Sequence, residues 1–260
     1  MSSSIKDRTL QLLTGISSSP AIADPSGPLT PDAVVLVNPF TNFDSTQVSP
    51  SIRRIGDYEL SETKFDDFKC ARHLPSGENL LYKEYPSDGI RQRFEPYDRL
   101  TTLLLSSERN RQEARTTSLS QLAAKHHLHF FRDIITHNQT AIVLYPTYTS
   151  NLHTHITDRH RLSENESRKL FSQIVRAIRM CHHVGLIVRD LKLRKIVFLN
   201  STRSDLLLTG LEDAIVLASP TTTDDFVASR FSCPVYACPE IVLNRQMYSG
   251  KLADSWSLGE

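Results

Sequence analysis

Apolar and polar residues alternate in short runs between positions 55 and 146, which predicts a meander of antiparallel strands. The runs DYELSETK, FKCARH and LLYKEY are separated by turn-forming residues such as PSGEN. The segment FFRDIITHNQTAIVLYP has the pattern of two further strands joined by THNQ. Between these groups, residues 86–125 are polar, and we expect one helix and an arginine-rich loop there.

The period becomes helical after residue 146. In SENESRKLFSQIVRAIRMCHHVG, helical spacing puts one set of apolar side chains on a common face: Leu170, Phe171, Ile174, Val175, Ile178 and Cys181. Ser163 and Glu166 have the spacing of a capping box, and Gly185 is a helix stop. Sheet followed by helix predicts an α+β chain with two lobes.

Composition divides the chain further. Residues 1–54 are rich in Ser, Thr and Pro, which is typical of a disordered arm. Within it, AVVLVNPF is either a short docking segment or a stray apolar run. We therefore expect an arm over 1–54, a strand-rich lobe over 55–146 and a helical lobe over 147–260.

Charge and hydropathy exclude several classes of function. Lys+Arg is 30 and Asp+Glu is 29, so the net charge gives no reason to expect nucleic-acid binding. No apolar run is long enough to span a bilayer, and the N-terminus does not have the pattern of a secretory signal. The four cysteines are scattered, as is typical of reduced thiols. We expect a protein of the cytoplasm, the nucleus or both.

One ordered series of motifs carries chemistry. GLIVRDLKLRKIVF contains Arg-Asp-Leu-Lys, and LLLTGLE, VYACPE and YSGKLADSWSLGE follow it. Protein kinases have a catalytic loop, a metal-binding Asp-Phe-Gly and an Ala-Pro-Glu in this order. The series predicts a protein-kinase-like fold with two lobes, an N-lobe of mostly antiparallel strands and a C-lobe of mostly helices. The C-lobe is expected to be incomplete, because the sequence stops just after DSWSLG.

The sequence of these motifs resembles one group of kinase-like proteins, the Tribbles pseudokinases. The resemblance rests on RDLKLRK followed by VF, on LED in place of the metal motif, on YSGKLADSWSLG and on NLHTHITDRHRLSENESRKLFSQIV. It is specific from about residue 145 onward, looser over residues 55–146 and absent from the arm. Residues 86–125 look longer than the family's short regulatory helix region.

The resemblance implies an adaptor with no kinase activity. Its kinase-like domain would bind a basic-leucine-zipper transcription factor or a protein kinase. In the family, a C-terminal tail recruits a RING-type E3 ubiquitin ligase and MAP kinase kinases, and we expect that tail to be missing from this sequence. The alternative is an enzyme with weak ATP binding that does not depend on a metal, and with residual phosphotransfer.

The phosphate-binding loop is degenerate. Glycines let backbone amides approach phosphates, but the three glycine positions of the kinase loop are Ser61, Thr63 and Asp66 here. Two hydroxyls and a carboxylate would hinder ATP binding. Lys83 stands at the position of the lysine that pairs with the phosphates, and we interpret it as a vestigial ATP lysine.

The usual partner of that lysine is a glutamate on the regulatory helix. Glu95, Glu108 and Glu113 are the candidates, and the sequence favours none of them.

The catalytic loop keeps its aspartate. Asp190 stands where a kinase keeps its base, with Lys192 beside it, and we interpret both as remnants of an inactive site. Arg189 is expected to brace the loop, and Val188 replaces the histidine of the kinase motif.

The metal ligands are changed at two positions. Lys195 puts an ammonium where a kinase has asparagine, and Gly210 provides no side chain where a kinase has aspartate. We therefore predict no metal and no cofactor except weak ATP without magnesium. A shift of register that brings in Glu212 or Asp213 is the alternative. We expect Lys195 to form a salt bridge with Glu212 that takes over the charge of the metal.

Two further residues are expected to be structural. Glu240, in VYACPE, matches a glutamate that pairs with an arginine in a part of the kinase fold beyond this sequence. Asp254 should begin a central helix that packs on the apolar face of residues 170–181. Without the rest of the lobe we expect that face to be partly bare, and the lobe to be poorly stable unless a partner covers it.

Overall fold

The computed structural model describes residues 52–219, 224–228, 233–243 and 245–260. The predicted arm lies outside the described residues as far as residue 51. A first strand begins at Ile52, which is three residues before the predicted start of the strand-rich lobe.

The N-lobe is an antiparallel sheet of six strands in the order β1-β2-β3-β4-β6-β5, which confirms the predicted meander. The strands are β1 (Ile52–Ile55), β2 (Tyr58–Phe65), β3 (Phe68–His73), β4 (Asn79–Pro86), β5 (Asp133–His137) and β6 (Thr140–Pro146). Strand β4 lies near the middle of the sheet, so Lys83 sits on a rigid element beside the cleft between the lobes.

Four short helices connect β4 to β5, where one helix and a loop were predicted. They are α1 (Ile90–Arg93), α2 (Glu95–Leu104), α3 (Glu108–Glu113) and α4 (Leu119–Ala124). Only α2 buries a continuous face, and α4 begins at a capping box of Ser118 and Gln121. Each of the other three helices is too short for a 3.6-residue period to show in the sequence.

The C-lobe alternates helices with short strand pairs. Its helices are α5 (Leu152–Arg159), α6 (Glu164–His183), α7 (Pro239–Val242) and α8 (Gly250–Gly259). Its strands are β7 (Ser150–Asn151), β8 (Leu186–Ile187), β9 (Ile196–Phe198), β10 (Leu206–Leu208), β11 (Ile215–Val216), β12 (Phe226–Val227) and β13 (Tyr248–Ser249). β9 pairs with β10 and β7, β8 with β11, and β12 with β13. The loop between β8 and β9 carries the predicted catalytic residues.

Helix α6 is the predicted long helix, but its first turn differs from a capping box. The Ser163 hydroxyl accepts a hydrogen bond from the backbone N–H of Glu166, as predicted. The Glu166 carboxylate does not return to the backbone, because it binds His155 and Arg159 of α5. The reciprocal half of the predicted box is therefore wrong, and Glu166 instead joins two helices.

The face of α6 that was expected to be partly bare is buried toward its C-terminal end and open near its N-terminal end. Ile178 and Cys181 are buried, whereas Phe171 is 46% exposed. Near Leu170 the face opens into a groove of about 300 Å³ that α5 and the end of α8 also line. Other large apolar side chains are also exposed, and they lie elsewhere in the C-lobe: Phe226, Val235, Val242, Leu243, Met247, Leu252 and Trp256.

Helix α8 begins at Gly250, four residues before the predicted start at Asp254, and the Ser249 hydroxyl caps it. A Cβ atom at Gly250 would lie 2.2 Å from Ile187 Cδ1, so only glycine allows this approach of α8 to β8. Asp254 is thereby placed inside the helix and under the catalytic loop. In the described part of the chain, no helix combines the length and the apolar composition needed to cross a bilayer.

One hydrophobic core runs through both lobes and includes Phe68 of the sheet, Phe94 of the loop before α2 and Phe198 of β9.

We expect Phe198→Ala to lower the free energy of unfolding by about 3–5 kcal/mol, since Phe198 is fully buried. Phe171→Ala is the matched control and should cost far less because its ring is half exposed. Urea denaturation measures both. Equal losses would contradict this assignment of the core.

Candidate functional site

The β2–β3 turn replaces the glycine loop with contacts between side chains. The Ser61 and Thr63 hydroxyls share a hydrogen bond of 2.8 Å, and the Thr63 N–H donates to Ser61 Oγ. The pairing of β2 with β3 slips between Ser61 and Lys64, so the strand is irregular here. The hydroxyls and one amide therefore satisfy each other at the place where a kinase loop would present free amides.

Asp66 ties this turn to the segment that joins the lobes. Tyr148 Oη donates to Asp66 Oδ2 at 2.8 Å, and Asn151 Nδ2 lies 3.1 Å from each carboxylate oxygen. Asp66 has a φ of 52°, in the left-handed region that glycine adopts easily. The predicted carboxylate is present, and it holds the turn against the start of the C-lobe.

Phe68 packs beneath the turn, and its role was not predicted from the sequence. The kinase loop motif ends in valine two residues after its last glycine position, which is Phe68 here. Its ring packs edge-on against Tyr145 and Tyr148, with centroids 5.2 and 6.0 Å apart. Lys83 Nζ lies 4.4 Å from the centre of the same ring. The phenylalanine at the valine position is the sequence feature from which this packing could have been predicted.

Lys83 pairs with Glu212 of the LED segment, at 3.2 Å between Nζ and Oε1. The Glu212 carboxylate also accepts hydrogen bonds from Tyr85 at 2.8 Å and Tyr97 at 2.9 Å. The Glu212 side chain is 2% exposed, whereas that of Lys83 is 23% exposed. Glu212 is therefore the buried partner of Lys83, and Tyr97 of α2 contacts it from the regulatory-helix side.

The three glutamates considered as partners of Lys83 are engaged elsewhere. Glu95 pairs with Arg99, Glu108 with Arg111 and Glu113 with Lys125. The first two pairs are local contacts within one helix, which sequence spacing favours. The Lys83–Glu212 contact joins residues 129 positions apart, so periodicity could not reveal it.

The surroundings keep Glu212 ionised. Burial alone would raise the pKa of this carboxyl. The charge of Lys83, a backbone hydrogen bond and the hydroxyls of Tyr85 and Tyr97 outweigh burial and lower the pKa below its ordinary value. Burial and the same carboxylate raise the pKa of Tyr97 well above its ordinary value, so its hydroxyl stays a donor.

Lys195 binds two carboxylates of the catalytic region. Its Nζ lies 3.2 Å from Asp190 Oδ2 and 3.4 Å from Asp213 Oδ2. Lys192 Nζ lies 2.9 Å from the same Asp190 oxygen. The predicted salt bridge between Lys195 and Glu212 is therefore wrong, because Glu212 turns toward Lys83 and the next residue takes its place.

Gly210 and Lys195 fit against each other. A Cβ atom at Gly210 would lie 3.0–3.1 Å from Cε, Cδ and Nζ of Lys195, and Gly210 has a φ of 74°. The lysine therefore occupies the space that an aspartate side chain at position 210 would enter. Lysine at position 195 and glycine at position 210, the two changes at the metal-ligand positions, therefore pack against each other.

Asp254 holds the catalytic loop from below. It accepts hydrogen bonds from the backbone N–H groups of Val188 at 2.8 Å and Arg189 at 2.7 Å, and it lies 2.8 Å from His182 Nε2. Arg189 has a φ of 68°, which this anchor stabilises. Asp254 therefore holds the catalytic loop through the backbone of Val188 and Arg189, and the bracing role expected of the Arg189 side chain stays a prediction. Glu240 is exposed, and its side chain makes no ion pair with the described residues.

The carboxylates of the site face cations of the chain itself. Among the described residues, no group of three or more His, Cys, Asp or Glu is arranged to hold a metal ion. Glu212 is closed off by Lys83 and two tyrosines, and Asp213 lies beside Lys195 and Arg93. A metal at Asp190 would first have to displace the ammonium of Lys195. The register shift toward Glu212 or Asp213 finds no support in this geometry.

Comparisons with known proteins give one family and one group of relatives. The protein kinase domain model matches residues 105–260. The chain is 32% identical to human Tribbles homolog 3 over 89% of the chain and 58% of that relative. It is 32% identical to Tribbles homolog 2 of Bos taurus over 93% of the chain and 59% of that relative. Identity to mouse Tribbles homolog 1 is 31% over 81% of the chain and 50% of that relative. The chain thus spans between half and three fifths of the length of these relatives.

Removing the ammonium of Lys195 should destabilise the protein. Lys195→Met leaves the buried Asp190 with one cation fewer, and we expect the free energy of unfolding to fall by about 1–3 kcal/mol. Lys64→Met is the control, because Lys64 is exposed and makes no ion pair with the described residues. Thermal and urea melts measure both variants. A Lys195→Met protein as stable as the control would contradict the role given to this ammonium.

Glu212→Gln should lower stability in a pH-dependent way. A carboxyl with a lowered pKa contributes stability above its unfolded pKa, and this stability is lost as pH falls through the folded pKa. We expect a loss of about 2 kcal/mol at neutral pH that shrinks below about pH 4. Glu164→Gln, at an exposed pair with Arg168, is the control. A deficit that stays constant across this pH range would show that the charge of Glu212 does not matter.

Proposed function

Because the chain belongs to the protein kinase domain family and, within it, to the Tribbles group, we propose that it acts as a pseudokinase adaptor. In this proposal the kinase-like fold binds other signalling proteins and performs no phosphoryl transfer. Asp190 and Lys192 are then structural remnants, not a working base and its neighbour.

The contact between Lys195 and Asp190 carries this proposal. Phosphoryl transfer needs divalent metal ions that bridge the phosphates and neutralise the charge developing on them. Here a fixed ammonium lies 3.2 Å from Asp190, and Gly210 offers no ligand. A second cation at this place would meet like charge, so the residues of the site disfavour the two-metal arrangement of a kinase.

Two further contacts disfavour nucleotide binding. The Lys83 ammonium is paired with the buried carboxylate of Glu212, so a phosphate would have to compete with that ion pair. The Phe68 ring lies between Lys83 and Tyr145, where the kinase motif has a smaller valine. Binding a nucleotide would therefore require Lys83 to be shared between a phosphate and Glu212, and the aromatic ring to be displaced.

Partners are proposed on the family resemblance. We propose a basic-leucine-zipper transcription factor, MAP kinase kinases and a RING-type E3 ubiquitin ligase as partner classes. The result would be regulation of MAP kinase signalling and ubiquitin-dependent degradation of the bound factor, in the cytoplasm or the nucleus. The central helix and the catalytic loop, held together by Asp254, supply a rigid platform for such binding.

Weak ATP binding without magnesium is the second candidate. It is favoured by one observation, namely that Lys83 is retained and its side chain is 23% exposed at the cleft. In this case the lysine would release Glu212 and bind a phosphate. Metal would not be needed, because Lys195 already supplies a positive charge near Asp190.

A thermal-shift titration separates the two candidates. ATP is titrated with magnesium and again with EDTA, and a ligand that binds the folded state raises its stability by RT ln(1 + [L]/Kd). The pseudokinase proposal predicts no magnesium-dependent shift. A shift with EDTA that Lys83→Met abolishes would favour the second candidate. A clear shift that requires magnesium would overturn the proposal.

A further inference from the structure

Helix α6 presents a row of basic side chains opposite its buried face. Lys169, Arg176, Arg179 and His183 are exposed, and at about 100° per residue they fall within about 80° of the helix circumference. We call them the α6 basic stripe. Its members are spaced over roughly the length of a short peptide, and it plays no part in the site between the lobes.

The stripe has no acidic counterpart. No Asp or Glu lies three or four residues from Arg176 or Arg179, and Lys169 has only Glu166 at such a spacing. None of the three basic residues makes an ion pair with the described residues. Arg176 and Arg179 are three residues apart, and like charges at such spacing weaken a helix. The ordinary solvent-exposed helix face mixes both signs, and α6 does so only in its first turn, where Arg168 pairs with Glu164.

The acidic residues nearest the stripe are already occupied. Glu166 is bound by His155 and Arg159, and the Asp205 carboxylate accepts hydrogen bonds from Asn200 and Ser204. Arg159 offsets the charge of Glu166, whereas the donors to Asp205 are neutral and leave its charge in place. The groove lined by Arg179 and Leu103 is therefore the part of this surface without acidic residues.

Two grooves flank the stripe and meet at Arg176. One, of about 580 Å³, is lined by Leu103 and Met180 together with Arg179 and His183. The other, of about 590 Å³, is lined by Lys169 and by polar residues of the β9–β10 turn, including Arg203. Each groove combines positive charge with concavity, and the first also offers apolar side chains.

We propose that the α6 basic stripe is a docking site for an acidic segment of a partner protein, with an apolar side chain among its carboxylates. We choose this occupant on charge complementarity. The arginines would bind its carboxylates, and Leu103 and Met180 would contact its apolar side chain. A nucleic acid fits less well, because it would bind through its phosphate backbone and would leave the apolar Leu103 and Met180 without a partner. The inference deepens the adaptor function and rests on it, but its test uses no nucleotide, so the two can fail separately.

The test is fluorescence anisotropy with a fluorescein-labelled glutamate-rich peptide that has one central leucine. The full chain should bind it, more weakly as salt rises, and Arg176→Glu with Arg179→Glu should weaken binding by about tenfold or more. The control is Arg54→Glu with Arg91→Glu, which makes the same change of charge at exposed N-lobe positions that form no ion pair with the described residues. Circular dichroism checks that all variants are folded.

Three results would overturn the proposal. If the wild-type chain does not bind the peptide, no docking site for acidic segments exists. If both double variants lose binding equally, the effect is one of net charge and not of the stripe. If duplex DNA or phosphatidylserine vesicles bind through Arg176 and Arg179 while the acidic peptide does not, the occupant is of another class. Replacing the glutamates of the peptide by glutamines should abolish binding.

Discussion

The buried carboxylate of Glu212 is the constraint on which the rest of the site depends. A carboxylate that is 2% exposed must be paired, because an unpaired charge in the interior is strongly unfavourable. Lys83 of the sheet, Tyr85 at the end of the same strand and Tyr97 of α2 all turn toward it. One side chain of the LED segment thus fixes the sheet, the helix beside it and the segment itself in a single arrangement.

Lys195 makes a second arrangement of the same kind. Its ammonium joins the catalytic loop, through Asp190, to the LED segment, through Asp213. Together the two lysines do with side-chain charge what a kinase does with bound metal and phosphate: they connect elements that are distant in sequence across the cleft. These ion pairs hold the region together through side chains of the chain itself.

Much of the fold could be predicted from the sequence because local patterns of apolar and polar residues determine most of its elements. Five of the six strands of the N-lobe follow alternation and turn residues, and α6 follows a clear helical period, whereas β1 was not predicted. The short helices between β4 and β5 escaped prediction because none but α2 has enough turns to show a period. The start of α8 was misplaced because a close approach of Gly250 to Ile187 decides it.

The site was predicted in its residues but not in its pairings. Motif order identified Lys83 and Asp190 as retained positions and Lys195 and Gly210 as altered ones, and the structure places Asp190, Lys195 and Gly210 together. Which acid meets which lysine is a long-range contact, and there the expectation for Lys195 and Glu212 was wrong. Phe68 was missed because one large residue for a smaller one leaves the strand pattern unchanged.

The most direct measurement is a double-mutant cycle on Lys83 and Glu212. Urea denaturation of the wild type, Lys83→Met, Glu212→Gln and the double variant, all in EDTA, gives the coupling free energy of the pair. The account predicts a favourable coupling of about 1–3 kcal/mol without any metal or nucleotide. Additive effects, within about 0.5 kcal/mol, would contradict it, because the buried carboxylate would then not depend on its lysine.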